Sequence, residues 1–570
     1  MPKARALTLC LVLFGLALAG TSAAAAGKPF DVVEATIPQM QAAMAAGTLT
    51  SRELVRLYLE RIATYEDRLN ATLAVHPEAL REAEALDRER ARGVLRGPLH
   101  GIPIALKDNI QTADLPTTGG ALALVGFVPP EDATLVANLR AAGAVVIAKT
   151  GMTEWANWVA TGMPTNYNAV GGYGFNPYDP RRDPRDATAD GRPALATGGS
   201  SSGGGTAASF WAASVGTETS GSILSPANQN LLAAVKPTVG RISRFGIAPI
   251  TADQDTAGPM ARTITDAAIL LGVLEGKAAD PKDVASARCP RENDYTRFLD
   301  AKALQGARLG VPRAFFVDPT TPPGSKEPRG GLTPSQRALF ESALATLRQL
   351  GAEIVDPADI PSVVAQEAET NFLSWPVCSG YDNGRGKDAD CSIVFKYGMK
   401  RDFNAWLLGL GERAPVKSLR ELRVWNVAHQ KMGALKYGQA LLDISDEMDV
   451  AADAARYRAD RAKDLRLSAE LGMDPVFTEN RLDALLFAGG SGAGIAAKPG
   501  YPTVMVPLGF VENAPEKAPV SPGSAFPAGF NAKPAPFGLS FTGIACSEPR
   551  LLALAYAFEQ ATRRRQLPAL

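Results

Sequence analysis

Histidine is scarce in this chain: His76, His100 and His429 are the only three in 570 residues. So few histidines argue against a His-rich metal centre and leave little room for a catalytic triad built on imidazole. Net charge is missing too. Lys plus Arg and Asp plus Glu each total 59, and no basic run carries interleaved aromatics, so nucleic acid is not an expected partner. Beyond the N-terminus, no stretch is apolar enough to span a bilayer. Cysteine is sparse, and Cys289, Cys378, Cys391 and Cys546 have spacings unlike those of a zinc site. No metal or cofactor is expected.

What is present at the N-terminus is a secretory pattern. Lys3 and Arg5 precede an apolar stretch over residues 6–19, and small residues at 22–26 offer a cleavage site. The expected product is secreted or periplasmic, spans residues 27–570 after removal of the signal at 1–26, and carries no membrane segment. Cys10 leaves with the signal. The four remaining cysteines can pair in an oxidising compartment. Cys378 and Cys391 flank the polar loop SGYDNGRGKDAD, so a bridge between them is expected. For Cys546 a buried free thiol is an open reading.

Along the chain, helical and extended patterns alternate. Thr50 with Glu53 forms a capping-box pattern, and Leu54, Leu57, Leu59, Ile62 and Tyr65 lie mostly on one side of the helix that follows. A second helix is expected over residues 77–92. Short apolar runs at 102–106, 144–148, 485–487 and 503–507 read as buried strands. The stretch AAVKPTVGRISRFGIAPIT alternates apolar runs with turn residues, as strands would. Residues 253–276 follow and end in an amphipathic helix, with 335–351 and 550–563 as further helices, 353–355 as a strand, and 361–480 as a largely helical region. Pro-rich loops lie at 176–196 and 510–537. With no repeat and no clean linker, one large α/β domain is expected.

The chemistry concentrates in Thr197–Ala227, TGGSSSGGGTAASFWAASVGTETSGSILSPA. Two small-residue clusters, 198–205 and 217–222, flank an apolar segment of helical length. Glycine permits close backbone approach, and a serine in such a loop can act as a nucleophile beside amides aimed at an oxyanion. Gly199–Gly203 also matches the G-x-S-x-G elbow with Ser201 as nucleophile, but RPALATG before it is a poor strand and only His429 follows as a base. A phosphate cradle is weaker still, because the Gly-Lys-Ser/Thr ending of a P-loop is absent. The remaining arrangement pairs a serine with a lysine. Lys107 closes an apolar run in GIPIALKDNI. A lysine there is ordinarily a solvated strand end; buried, it would lose affinity for its proton and become a usable base.

With those residues in view, the chain resembles the amidase signature family, in its peptide-amidase-like branch, and is similar to the A subunit of glutamyl-tRNA amidotransferase. The likeness runs through GIPIALKDNI, AKTGMTEW, NPYDP, GGSSSGGG, GTETSGSILSPA, KPTVGRISRFGIAPI, DTAGPMAR, PGYPTVMVPLGF and PFGLSFTG, in that order. It implies a single domain with a mixed β-sheet covered by helices, and a Ser–cisSer–Lys triad that hydrolyses a small-molecule or peptide amide. By the same resemblance Ser222 is the acyl-forming serine, Lys107 the base, and Ser200 the bridging serine after a cis peptide. The amides of Thr219, Ser220, Gly221 and Ser222 would hold the oxyanion. Three departures stand out. The step from Ser200 to Ser222 is two residues short, which keeps Ser201 as an alternative bridge; Ser220 replaces a Gly or Asp, and Leu224 an Arg. Export counts against a role in tRNA-dependent amidation. A His-dependent esterase and a non-catalytic ligand-binding relative are the competing readings.

Overall fold

The computed structural model describes residues 30–380, 388–513 and 525–570. The signal-like segment at 1–26 lies outside them. Val32–Leu570 forms one compact unit built on an eleven-stranded sheet. Across it the strands run Thr72–Val75, Val145–Thr150, Pro103–Lys107, Ala213–Glu218, Thr256–Ala261, Ala233–Lys236, Thr503–Val511, Ala535–Thr542, Ala484–Ala488, Arg308–Gly310 and Glu353–Val355. Pro103–Lys107 is parallel to both of its neighbours, whereas the five strands from Thr256–Ala261 to Ala484–Ala488 pair antiparallel in succession. The mixed sheet expected from the sequence is therefore present.

The central strands are buried throughout because helices cover both faces. Every residue of Pro103–Lys107, Val145–Thr150, Ala213–Glu218 and Thr256–Ala261 is buried, which is the pattern of strands with no solvated side. The helix Glu548–Thr562 packs on Thr503–Val511 and on Ile264–Glu275. Ile264–Glu275 is not amphipathic: nine of its twelve residues are buried, so it is a core helix. Ser51–Leu69 is capped by the Thr50 hydroxyl, which accepts from the Glu53 amide at 3.0 Å, while the Glu53 carboxylate turns to Arg56 and leaves the capping box half made. Its core stripe is Leu54, Val55, Tyr58 and Ile62, with Leu57, Leu59 and Tyr65 half-buried.

Two expectations around the central stretch are corrected. Of AAVKPTVGRISRFGIAPIT, only Ala233–Lys236 is a strand; residues 237–250 are irregular, and Arg241 anchors them through buried ion pairs to Glu275 and Glu548 at 2.9 and 2.8 Å. The helix between the two small-residue clusters is Ser201–Ala207, made of the glycine run itself, and FWAAS only turns the chain into Ala213–Glu218. Glycine in a helix costs up to ~1 kcal/mol per residue. Close packing explains its use here: a Cβ on Gly205 would stand 2.1 Å from the Trp211 ring, and one on Gly203 3.0 Å from Pro226.

Two disulfides lock the periphery. Cys378–Cys391 is the expected pair, and Cys289–Cys546 joins residues 257 apart in sequence. Cys546 is thus not a free thiol.

Candidate active site

Lys107 is the last residue of a fully buried strand. In the parallel ladders it stands beside Thr150, and the register beside Ala213–Glu218 brings its ammonium to the strand end, where Nζ donates to the Thr217 carbonyl at 3.0 Å. The side chain has no exposed surface. Burial lowers its pKa to about 8, and the carboxylates of Glu218 and Asp255 oppose any further fall. The amine therefore releases its proton far more readily than a solvated lysine.

Glu218 and Asp255 shape the loop that follows. One Glu218 carboxylate oxygen accepts the amides of Ile223 and Leu224 at 2.8 and 3.0 Å, folding residues 219–222 into a tight turn. Asp255 accepts the Thr219 hydroxyl and the amides of Ile250 and Thr251, and burial pushes its pKa up to about 7. Gly221 adopts φ +102° at the turn, a conformation that favours glycine. Among the described residues, the amides of Ser220, Gly221 and Ser222 donate to no protein acceptor. Three successive free N–H groups at a tight turn form an anion-binding concavity.

Ser222 lies in this turn, half-buried, against the first serine cluster: a Cβ on Gly199 would stand 3.2 Å from its Oγ. Ser200 is extended (φ −159°, ψ 135°) and caps Ser201–Ala207, its Oγ accepting from the Ser202 amide at 3.1 Å. The Gly199–Ser200 peptide is trans; among the described residues only Asp356–Pro357 is cis. The expected cis peptide is absent; Ser200 is an extended helix cap and pairs with Met152 across a β-bridge.

The structure thus puts Ser222 beside the Gly199–Ser200 segment and Lys107 beside Thr217 and Thr150. No hydrogen bond joins Lys107, Ser200 and Ser222 directly. A chain of hydroxyls that the sequence did not reveal covers part of the interval. Ser200 Oγ donates to Ser202 Oγ at 2.9 Å, and Ser202 Oγ pairs with Thr150 Oγ1 at 2.6 Å on the strand next to Lys107. Thr150 sits in the quoted AKTGMTEW segment, which was the available signal. Ser201 points elsewhere, accepting from Asn166 Nδ2 at 2.8 Å. His429 stacks on Trp425 at 3.8 Å and bonds its carbonyl at 2.8 Å. The Ser201–His429 elbow therefore has no supporting contact.

One candidate cation cluster occurs among the described residues: His76, Glu82 and Asp114 bring ligand atoms within 4.8 Å. The Arg140 guanidinium already lies 3.5 Å from Glu82 and 2.6 Å from Asp114, and His76 Nε2 contacts Asp114 at 3.0 Å. The cluster is an ion-pair network.

The class the fold defines is α/β: a large mixed sheet covered by helices, with a lysine buried at the end of one of its central strands. The chain belongs to the amidase family, whose model, Amidase, matches residues 53–552. It is similar to a probable amidase of Arabidopsis thaliana, at 33% identity over 95% of this chain and 92% of that one. It is also similar to the A subunit of glutamyl-tRNA(Gln) amidotransferase from Chloroflexus aurantiacus, at 39% identity over 56% of this chain and 60% of that one. Among solved structures it resembles the native peptide amidase of Stenotrophomonas maltophilia, with a TM-score of 0.76 and 36% identity over 95% and 99% of the two chains. The peptide amidase PAM in complex with the competitive inhibitor chymostatin gives a TM-score of 0.77 at 35% identity over 95% and 100%. The protein is an amide-hydrolysing enzyme.

Proposed function

We propose that this enzyme is an exported amidase that hydrolyses a linear carboxamide through Ser222, Ser200 and Lys107. The observation that carries the reading is a fully buried Lys107 with its pKa lowered to about 8, bonded to the strand that leads into a turn with three unpaired amides and a serine. Neutral Lys107 takes the Ser222 proton through the Ser200 hydroxyl as Ser222 Oγ attacks the carbonyl carbon. The tetrahedral oxyanion is held by the amides of Thr219, Ser220, Gly221 and Ser222. Lys107 returns the proton by the same path to the leaving nitrogen, the C–N bond breaks, and an acyl-serine remains. Water then attacks that ester and gives its proton to Lys107, which passes it to Ser222 Oγ as the acyl C–O bond breaks, releasing the acid and restoring the serine. In the resting geometry the Ser200 hydroxyl donates to Ser202; the relay engages when it turns, and catalytic hydrogen bonds commonly tighten only once substrate is bound.

Export is supported by the secretory pattern of residues 1–26 and by the two disulfides, which belong with an oxidising compartment. The test is a panel of simple amides and matched esters with wild type, Lys107→Ala and Ser222→Ala, together with a fluorophosphonate probe. Labelling of Ser222 and loss of amide cleavage in both variants are expected. Wild-type activity in folded Ser222→Ala would overturn the triad.

A further inference from the structure

Two consecutive residues outside the triad, Gln254 and Asp255, brace the serine turn from one side. Ala213–Glu218 pairs antiparallel with Thr256–Ala261, with Glu218 opposite Thr256. Continued past the strand ends, that register sets Thr219 opposite Asp255 and Ser220 opposite Gln254. Both side chains are buried, and both reach Thr219. Gln254 Nε2 donates to the Thr219 carbonyl at 3.2 Å, and the Thr219 hydroxyl donates to Asp255.

A peptide unit is planar, and in its trans form the C=O and N–H point in opposite directions. The Thr219 carbonyl and the Ser220 N–H belong to one trans unit. By holding the carbonyl, Gln254 therefore fixes the direction of the N–H on the other side. That N–H is the first of the three amides without a protein acceptor. The contact is kept at a cost. Gln254 Oε1 is buried with no hydrogen-bond partner, and turning the amide over would set one oxygen against another. Buried polar atoms are ordinarily satisfied, so this orphan marks a side chain held in place for its other contact.

Asp255 acts from the next position. One carboxylate oxygen accepts the Thr219 hydroxyl, and the other accepts the amides of Ile250 and Thr251 at 2.9 and 3.0 Å. Its charge also favours the protonated form of Lys107, as does that of Glu218. The other charges about Asp255 are Asp402, from the helical region, and Arg244, which is ion-paired with Asp283.

We infer that Gln254 and Asp255 are positioning residues, an inference that rests on the triad reading. Gln254 aims the Ser220 N–H at the oxyanion, and Asp255 anchors Thr219 while holding a negative charge near the base.

A fluorophosphonate tests this without a known substrate. Ser222 Oγ attacks phosphorus, fluoride leaves, and the phosphoryl oxygen takes the place of the oxyanion. The labelling rate per folded molecule is read from about pH 6 to 10 for wild type, Gln254→Met, Gln254→Ala and Asp255→Asn. Methionine keeps the length of glutamine without its N–H donors. Both Gln254 variants should label about ten- to a hundred-fold more slowly at every pH, up to the scale of a lost oxyanion donor, with the pH midpoint unmoved. In Asp255→Asn, Nδ2 can meet the Thr219 hydroxyl and Oδ1 the two amides, so the frame survives without the charge. Its midpoint should fall by about 0.5 to 1 pH unit, because loss of a neighbouring carboxylate favours the neutral amine. A merely structural role would lower the melting temperature and leave the rate per folded molecule and its midpoint alone. Wild-type rates in the folded Gln254 variants, or an unmoved midpoint in Asp255→Asn, would overturn the inference. Failure of the triad reading looks different: wild type would go unlabelled, or Ser222→Ala would be labelled as fast as wild type.

Discussion

Replacing Lys107 with methionine should separate the chemistry from the fold. Lys107 has no exposed surface, and desolvation lowers its pKa from 10.5 to about 8. A shift of that size disfavours the protonated amine in the folded state by roughly 3 kcal/mol. Because the folded pKa is the lower one, the unfolded chain binds the extra proton between about pH 8 and 10.5. Stability contributed by this group therefore rises with pH through that window, and the full cost is carried below it. Methionine removes the cost but strips the Thr217 carbonyl of its donor, which returns about 1–3 kcal/mol. The net expectation near pH 7 is a variant as stable as wild type or up to about 2 kcal/mol more stable. For a chain of this length that is only ~1–2 °C in Tm. The advantage should disappear near pH 10.5. Amide turnover should nonetheless fall by roughly a thousand-fold or more as the general base is lost. Scanning calorimetry of both proteins across pH, beside amide hydrolysis, gives the answer. A variant several degrees less stable near pH 7, with a Tm difference that ignores pH, would refute the desolvation argument.

Further outcomes follow from the same geometry. Wild-type kcat/KM should rise with pH through about 8 as Lys107 becomes neutral; a rate that is flat from about pH 6 to 10 would exclude this lysine as the titrating base. Ser222→Ala should cost about five to six powers of ten in kcat, the scale of losing a serine nucleophile, with circular dichroism unchanged. Gly205→Ala would drive a methyl to within 2.1 Å of the Trp211 ring, so soluble expression or Tm should drop sharply; a wild-type Tm would show that Trp211 moves freely. Opening Cys289–Cys546, which closes a loop over a sequence separation of 257, should cost up to about 5 kcal/mol on the chain-entropy account. Differential scanning of Cys289→Ser/Cys546→Ser against wild type measures it.

The buried strands were readable because a strand covered on both faces must be largely apolar, and 103–106, 145–148, 484–488 and 504–508 are. Ser51–Leu69 announced itself through the Thr50 cap and its apolar spacing. The glycine run misled for a physical reason. Glycine disfavours helix, so Ser201–Ala207 is intelligible only once Trp211 and Pro226 are seen pressed against Gly205 and Gly203. Residues 237–250 misled in the same way, since their apolar alternation serves a loop pinned by Arg241. The Cys378–Cys391 bridge was visible as a short local loop, whereas Cys289–Cys546 joins segments that nothing local brings together.

For the site, the chain itself names the candidate groups: a lysine ending an apolar run, a serine cluster, and a Gly-Ser turn in an order resembling the amidase signature family. Local chemistry determines these, because apolar runs, small-residue turns and histidine scarcity are properties of sequence neighbours. Tertiary structure alone decides what those groups become. Parallel pairing with Ala213–Glu218 and Val145–Thr150 buries the Lys107 ammonium and so lowers its pKa. The Glu218 carboxylate, by taking the Ile223 and Leu224 amides, folds the turn so that the amides of Ser220 to Ser222 stay unpaired. Ser200 became a helix cap after a trans peptide, and Thr150 and Ser202 joined the hydroxyl chain, since desolvation and hydrogen-bond geometry depend on contacts between residues as far apart as 107 and 217.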